Sequence, residues 1–96
     1  MDKDTKRIVV LGGGESGCGA AVLAKVKGFD VFLSDKGKIG DSYVQMLEEW
    51  GIPFEQGQHT ESLILDADEV IKSPGIPLTA PMIRKIMDKG IHIISE

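Results

Sequence analysis

Residues 8–21 read IVVLGGGESGCGAA: an apolar run, a glycine-rich turn and a run of small residues. The run Ile8 to Leu11 suits a parallel strand covered on both faces, where neither side can carry polar groups. Gly12, Gly14 and Gly17 fall on the G-x-G-x-x-G spacing. Lacking a Cβ, these positions let the chain turn sharply and let a ligand approach the backbone. The first N–H groups of the following helix then face a negative group. Gly17, Gly19, Ala20 and Ala21 would let that helix lie close against the sheet. Strand, turn and helix in this order predict the opening unit of a dinucleotide-type fold, with a loop that holds a diphosphate. The glycines do not say whether that diphosphate belongs to NAD or to another nucleotide.

The alternation continues along the chain. Val31-Phe32-Leu33 repeats the strand signature, shorter versions occur at Val70-Ile71 and Ile91 to Ile94, and Pro53-Phe54-Glu55 is a weaker candidate. Between them lie helix patterns. Ser16 caps a helix running to about Lys27, with Gly28 as its stop. Ile39, Tyr43, Met46, Leu47 and Trp50 recur at helical spacing up to Gly51. Thr60 caps a short helix through Leu65. Thr79 caps a last one, with Pro81 in its first turn and Met82, Ile83, Ile86 and Met87 facing inward. The expected fold is α/β: a Rossmann-like, open, doubly wound sheet of five parallel strands with about four helices. Right-handed crossovers bring the strand ends Leu11, Ser34 and Lys72 to one edge.

Composition narrows the function. The chain has 96 residues, 42% of them hydrophobic, enough for one core. The net charge of −4 comes without a basic stripe, so a nucleic-acid partner is not expected. No apolar run reaches the ~20 residues of a membrane span, and MDKDTKR has no signal-peptide core, so no membrane partner and a cytoplasmic location are expected. A single cysteine, Cys18, excludes an internal disulfide and a cysteine-cluster metal site, and reads as a small packing residue.

Three stretches fall at the carboxyl edge of the sheet, where open α/β folds bind ligands. The first is the glycine loop, in which the Glu15 side chain is expected to point away from any diphosphate. The second is LSDKGK, residues 33–38, with Asp35 at the end of the second strand. A carboxylate there can accept from a ribose hydroxyl, from a base N–H, or from local backbone N–H groups. Gly37-Lys38 is not an ATP loop, because Ile39 stands where a magnesium-binding Ser or Thr is needed. The third is IKSPGIPLTAP, residues 71–81, stiffened by Pro74 and Pro77 around Gly75. An NAD domain has no evident need for so rigid a loop.

With SPGIP after the fourth strand, and LGGGESG, SDKGK, GQHTESL and GIHIISE in their places, essentially the whole chain resembles the N-terminal domain of the Mur ligases. Its nearest likeness is to the branch that adds D-glutamate. The resemblance implies a Rossmann-like domain that binds the uridine diphosphate of UDP-N-acetylmuramoyl-L-alanine. Carried over residue by residue, Gly14, Glu15, Ser16 and Gly17 would line the diphosphate, Asp35 and Lys36 would meet the uracil, and Ser73, Pro74 and Gly75 would close the ribose and phosphate side. Glu15 and Lys36 match the family by position only. His59, in the family-like GQH stretch, reads as a capping or packing residue. The resemblance further implies ATP-dependent amide bond formation during peptidoglycan precursor synthesis. ATP, Mg2+ and D-glutamate would be held by central and C-terminal domains, with no cofactor, metal site or catalytic residue in this one. Residues 1–96 are therefore expected to be one N-terminal, UDP-sugar-binding domain of a longer bacterial ligase, inactive alone. The alternative is an NAD(P)-binding domain of a dehydrogenase or regulator, which the glycines and Asp35 fit and the SPGIP loop does not.

Overall fold

A computed structural model describes residues 5–95. Strand β1 (Arg7–Leu11) leads through the glycine turn into helix α1 (Glu15–Val26) and on to β2 (Asp30–Asp35). Helix α2 (Asp41–Glu49), β3 (Phe54–Gln56), α3 (Glu61–Ile64), β4 (Glu69–Lys72), α4 (Pro81–Asp88) and β5 (His92–Ser95) follow. All four strand pairs are parallel, in the order β3-β2-β1-β4-β5. The α/β reading therefore holds, with five strands and four helices among the described residues.

Alternation of side chains along the strands divides the core into two layers. Ile8, Val10, Val31 and Leu33 pack with Cys18, Ala21, Ala24 and Leu47 from α1 and α2. Val9, Leu11, Phe32 and Val70 pack on the other face with Ile64, Ile83 and Ile86 from α3 and α4. The central strands are thus sandwiched between helices, which is why β1 carries no polar residue after Arg7.

Several local expectations shift. Ser16 does not cap α1: the N-cap is Gly14, without a side-chain hydrogen bond, and Ser16 lies exposed in the first turn. The helix ends at Val26, and Gly28 beyond it takes φ +90°, the left-handed conformation that stops helices. Gly19 is exposed rather than set against the sheet; Gly17, Cys18, Ala21 and Ala24 make the close face. Helix α2 begins two residues beyond Ile39, which is nonetheless buried, while Trp50 is exposed at the helix end. Thr60 does precede α3, but its hydroxyl bonds Glu55 instead of capping the helix. In α4 the N-cap is Ala80, not Thr79. Ile83 and Ile86 are buried, Met82 only partly, and Met87 faces solvent. A helix of this length buries one narrow stripe, and the branched side chains occupy it.

Candidate functional site

The strand order reverses between β1 and β4, so the loops leaving these two strands stand side by side at the carboxyl edge. They touch. Gly12 has φ +107°, and a Cβ built on it would lie 2.8 Å from Ser73 Cβ. Ser73 N–H donates to Leu11 C=O at 3.0 Å, and Gly12 N–H donates to Ser34 C=O at 2.9 Å. The three strand ends are therefore stitched together immediately below the loops.

Beyond Gly12 the polypeptide enters α1. The first backbone bond of that helix runs from Cys18 N–H to Gly14 C=O at 2.9 Å, leaving the N–H groups of Glu15, Ser16 and Gly17 with no partner inside the helix. Together with the helix dipole they favour a negative group. The glycines here differ in purpose. A Cβ on Gly17 would lie 1.8 Å from Gly12 O, so Gly17 is demanded by packing. A Cβ on Gly14 would meet nothing within 4 Å, so the fold does not demand glycine there.

Asp35 binds the glycine loop to its own. One carboxylate oxygen accepts from Gly13 N–H at 2.7 Å and the other from Gly37 N–H at 2.8 Å. The Asp35 backbone carbonyl accepts from Gly57 N–H at 2.9 Å, bringing in the turn after β3. That turn carries a polar cluster centred on Ser34, which is fully buried. Ser34 Oγ lies 2.8 Å from Glu55 Oε2 and 2.7 Å from His59 Nδ1. Glu55 also accepts from the backbone N–H and the hydroxyl of Thr60. Burial pushes the Glu55 pKa up, but the bonds from Thr60, Ser34 and Gln58 outweigh it and hold the carboxyl below its ordinary 4.5. Burial lowers the His59 pKa below 6.5 against the pull of Glu55 and Asp35, with Lys36 lowering it further.

On the β4 side, Lys72 is buried and its ammonium donates to Ser73 C=O and Ile76 C=O at 3.3 and 2.8 Å. Gly75 N–H donates to Ser73 Oγ at 3.3 Å. The lysine at the end of β4 thus braces the proline loop from beneath.

These loops wall a cleft of about 810 Å³, within the usual range for a small-molecule site. Gly14, Asp35, Lys36, Ser73 and Gly75 line it, as do Gly12 and His59. Among the described residues no group of histidine, cysteine and carboxylate side chains could hold a metal ion.

Residues 6–95 match the family described as Mur ligase MurD-like, N-terminal domain. The chain belongs to this family. It is 63% identical over 91 residues to the UDP-N-acetylmuramoylalanine--D-glutamate ligase of Bacteroides fragilis, covering 95% of this chain and 20% of the relative. It therefore spans about a fifth of the length of the curated relatives it matches. A pseudomurein peptide ligase type C from Methanothermus fervidus superposes with TM-score 0.82 at 31% identity, over 95% of this chain and 19% of that one. UDP-N-acetylmuramate-alanine ligase from Thermotoga maritima superposes with TM-score 0.79 at 25% identity, over 94% and 20%.

As a Mur-ligase N-terminal domain, the chain distributes its expected site residues unevenly. Five of them wall the cleft: Gly14, Asp35, Lys36, Ser73 and Gly75. Glu15, Ser16 and Pro74 are exposed beside it and Gly17 is buried beneath the loop; none of these four lines the cleft wall. Ile76 and Pro77, in the loop the sequence singles out but not among its expected site residues, line the cleft too, and sequence reasoning misses the Glu61–Lys85 ion pair that joins α3 to α4 there. It also misses the Ser34–Glu55–His59 cluster. The signal is present: GQHT follows the third strand, so it has to emerge at the ligand edge.

Proposed function

We propose that this Mur-ligase domain anchors the uridine diphosphate part of UDP-N-acetylmuramoyl-L-alanine in an ATP-dependent ligase that adds D-glutamate during peptidoglycan precursor synthesis. One observation carries the reading: the glycine loop and the proline-stiffened loop, in contact at Gly12 and Ser73, wall one cleft beside the unpartnered N–H groups at the start of α1. The diphosphate would sit against Gly14, Glu15, Ser16 and Gly17 and bond their backbone N–H groups, with the Ser16 hydroxyl as a further donor and the Glu15 carboxylate turned to solvent. Asp35 and Lys36 would border the uracil, and Ser73, Pro74 and Gly75 the ribose and phosphate side. The domain holds the substrate and supplies no catalytic group. ATP, Mg2+ and D-glutamate would be handled by further domains of a longer protein working in the cytoplasm.

An amide NMR titration with UDP-N-acetylmuramoyl-L-alanine, with NAD as comparator, tests this. The expected result is a set of shifts centred on Gly14 to Gly17, Asp35 and Ser73 to Gly75 with the sugar nucleotide alone. Shifts with NAD alone would overturn the reading in favour of a dehydrogenase-type domain.

A further inference from the structure

The Ser34 cluster has a single consistent assignment of protons. Ser34 Oγ carries one hydrogen and faces three groups: Glu55 Oε2 at 2.8 Å, Gln58 C=O at 3.2 Å and His59 Nδ1 at 2.7 Å. A carboxylate and a carbonyl can only accept, so the Ser34 hydroxyl must donate toward them. If His59 Nδ1 were also an acceptor, the buried hydroxyl would face three acceptors with one proton. Nδ1 therefore carries the hydrogen and donates to Ser34 Oγ. In the neutral ring, Nε2 is then left with a lone pair.

The ring is held by its inner edge, since Ser34 is fully buried, while His59 itself lines the cleft. Nε2 makes no hydrogen bond to any described residue. It offers an acceptor whose position is set by a rigid network reaching through Glu55 to Thr60. The oxygens of Asp35 each accept one backbone N–H, which fixes that carboxylate at the wall of the same cleft. The direction of approach follows from the reading above combined with the strand order. A diphosphate above β1 and α1, with its sugar side toward the β4 loop, sends its base toward β2 and β3, where His59 stands.

We propose that His59 is a specificity-determining residue of the cleft, its Nε2 accepting the ring N3–H of a uracil-type imide. This rests on the uridine-nucleotide reading above and names the group that selects the base. A cytosine ring presents a lone pair at N3, so two acceptors would meet and binding would weaken. Protonation of His59 inverts the preference, because Nε2 then donates. Glu55 on β3 and Asp35 at the end of β2 favour the charged ring, whereas burial and Lys36 oppose it; Glu61 and Lys85 stand in the same cleft.

Calorimetric titration of the 96-residue chain with UDP and CDP at pH 8 and pH 5.5 tests the assignment, using wild type and His59→Asn. Asparagine can still donate to Ser34 but has no atom at the Nε2 position. Wild type at pH 8 should prefer UDP by roughly tenfold, the worth of one matched hydrogen bond over a mismatch. The preference should not grow at pH 5.5 and should shrink as far as the ring takes up a proton, and His59→Asn should bind the two nucleotides about equally at either pH. A preference for UDP that survives the substitution at pH 8 would overturn the role of His59 while leaving the nucleotide reading intact. Failure of wild type to bind either nucleotide would overturn both. Should His59→Asn fail to fold, His59→Ala takes its place at pH 8, where a preference for UDP that survives overturns the role of His59.

Discussion

Gly14 and Gly17 look equivalent in the motif and are opposite in physics. At Gly17 an added methyl would sit inside the Gly12 carbonyl, so backbone and not a flexible side chain must yield. Gly17→Ala is therefore expected to destabilise the fold by about 2–3 kcal/mol, even though alanine is the better helix former. At Gly14 the space is open, and its extended backbone, φ −81° and ψ −164°, suits a serine cap. Gly14→Ser should raise stability by a few tenths of a kcal/mol and yet weaken uridine-nucleotide binding. The new hydroxyl would accept from the N–H groups of Ser16 or Gly17 that the diphosphate needs. Denaturant unfolding and calorimetry on the two variants read both effects; equal loss of binding and stability in both would contradict this division. The spacing of the motif is legible in the sequence. Which glycine serves the turn and which serves the cleft is not, because that depends on contacts with Ser73 and Gly12 made across the fold.

Among the elements, β3 with α3 is the least regular, a three-residue strand and a single helical turn. Besides the apolar packing of Phe54 and Ile64 it is held by the polar cluster at Ser34, and this gives it a pH dependence. His59 has a folded pKa below its ordinary 6.5, so the unfolded state binds the proton more readily. Its contribution is complete above pH 6.5 and is lost as the pH falls through the lowered value. Glu55, also lowered, contributes fully above 4.5 and loses its part at still lower pH. Stability measured by urea unfolding should thus fall in two stages on acidification, and Glu55→Gln should remove most of the second. Long periodic elements are readable in advance, since β1, β2 and α1 announce themselves by runs and spacing. Boundaries set by capping are not. Ser16, Thr60 and Thr79 each have the right chemistry for a cap, but the fold gives the position to Gly14 and Ala80 in two cases, and in the third Glu55 takes the hydroxyl.

For the molecule as a whole, the two edges of the sheet have contrasting designs. The amino edge is closed by Arg7, whose guanidinium bonds Leu63 C=O at 2.7 Å, pairs with Asp66 and Asp30, and lies 5.6 Å from the Phe32 ring centre. The two aspartates are more than half exposed, so these ion pairs add little. The carbonyl bond and the ring contact carry most of the effect. Arg7→Met should cost about 1–2 kcal/mol of stability, seen as a lowered melting temperature, with nucleotide affinity unchanged. A loss of affinity would mean that the two edges are coupled. The carboxyl edge is open, and there the sequence reveals which loops gather but not how they are fastened. Asp35 reads in the sequence as facing a ligand or accepting local backbone N–H groups, and in the fold it lines the cleft while its carboxylate joins the Gly13 and Gly37 backbones and its carbonyl holds Gly57. That arrangement bears on motion. Because one residue bonds the turns after β1, β2 and β3, each of them is fastened to the same anchor. Steadying that residue therefore restrains all three turns at once, and displacing it loosens them together.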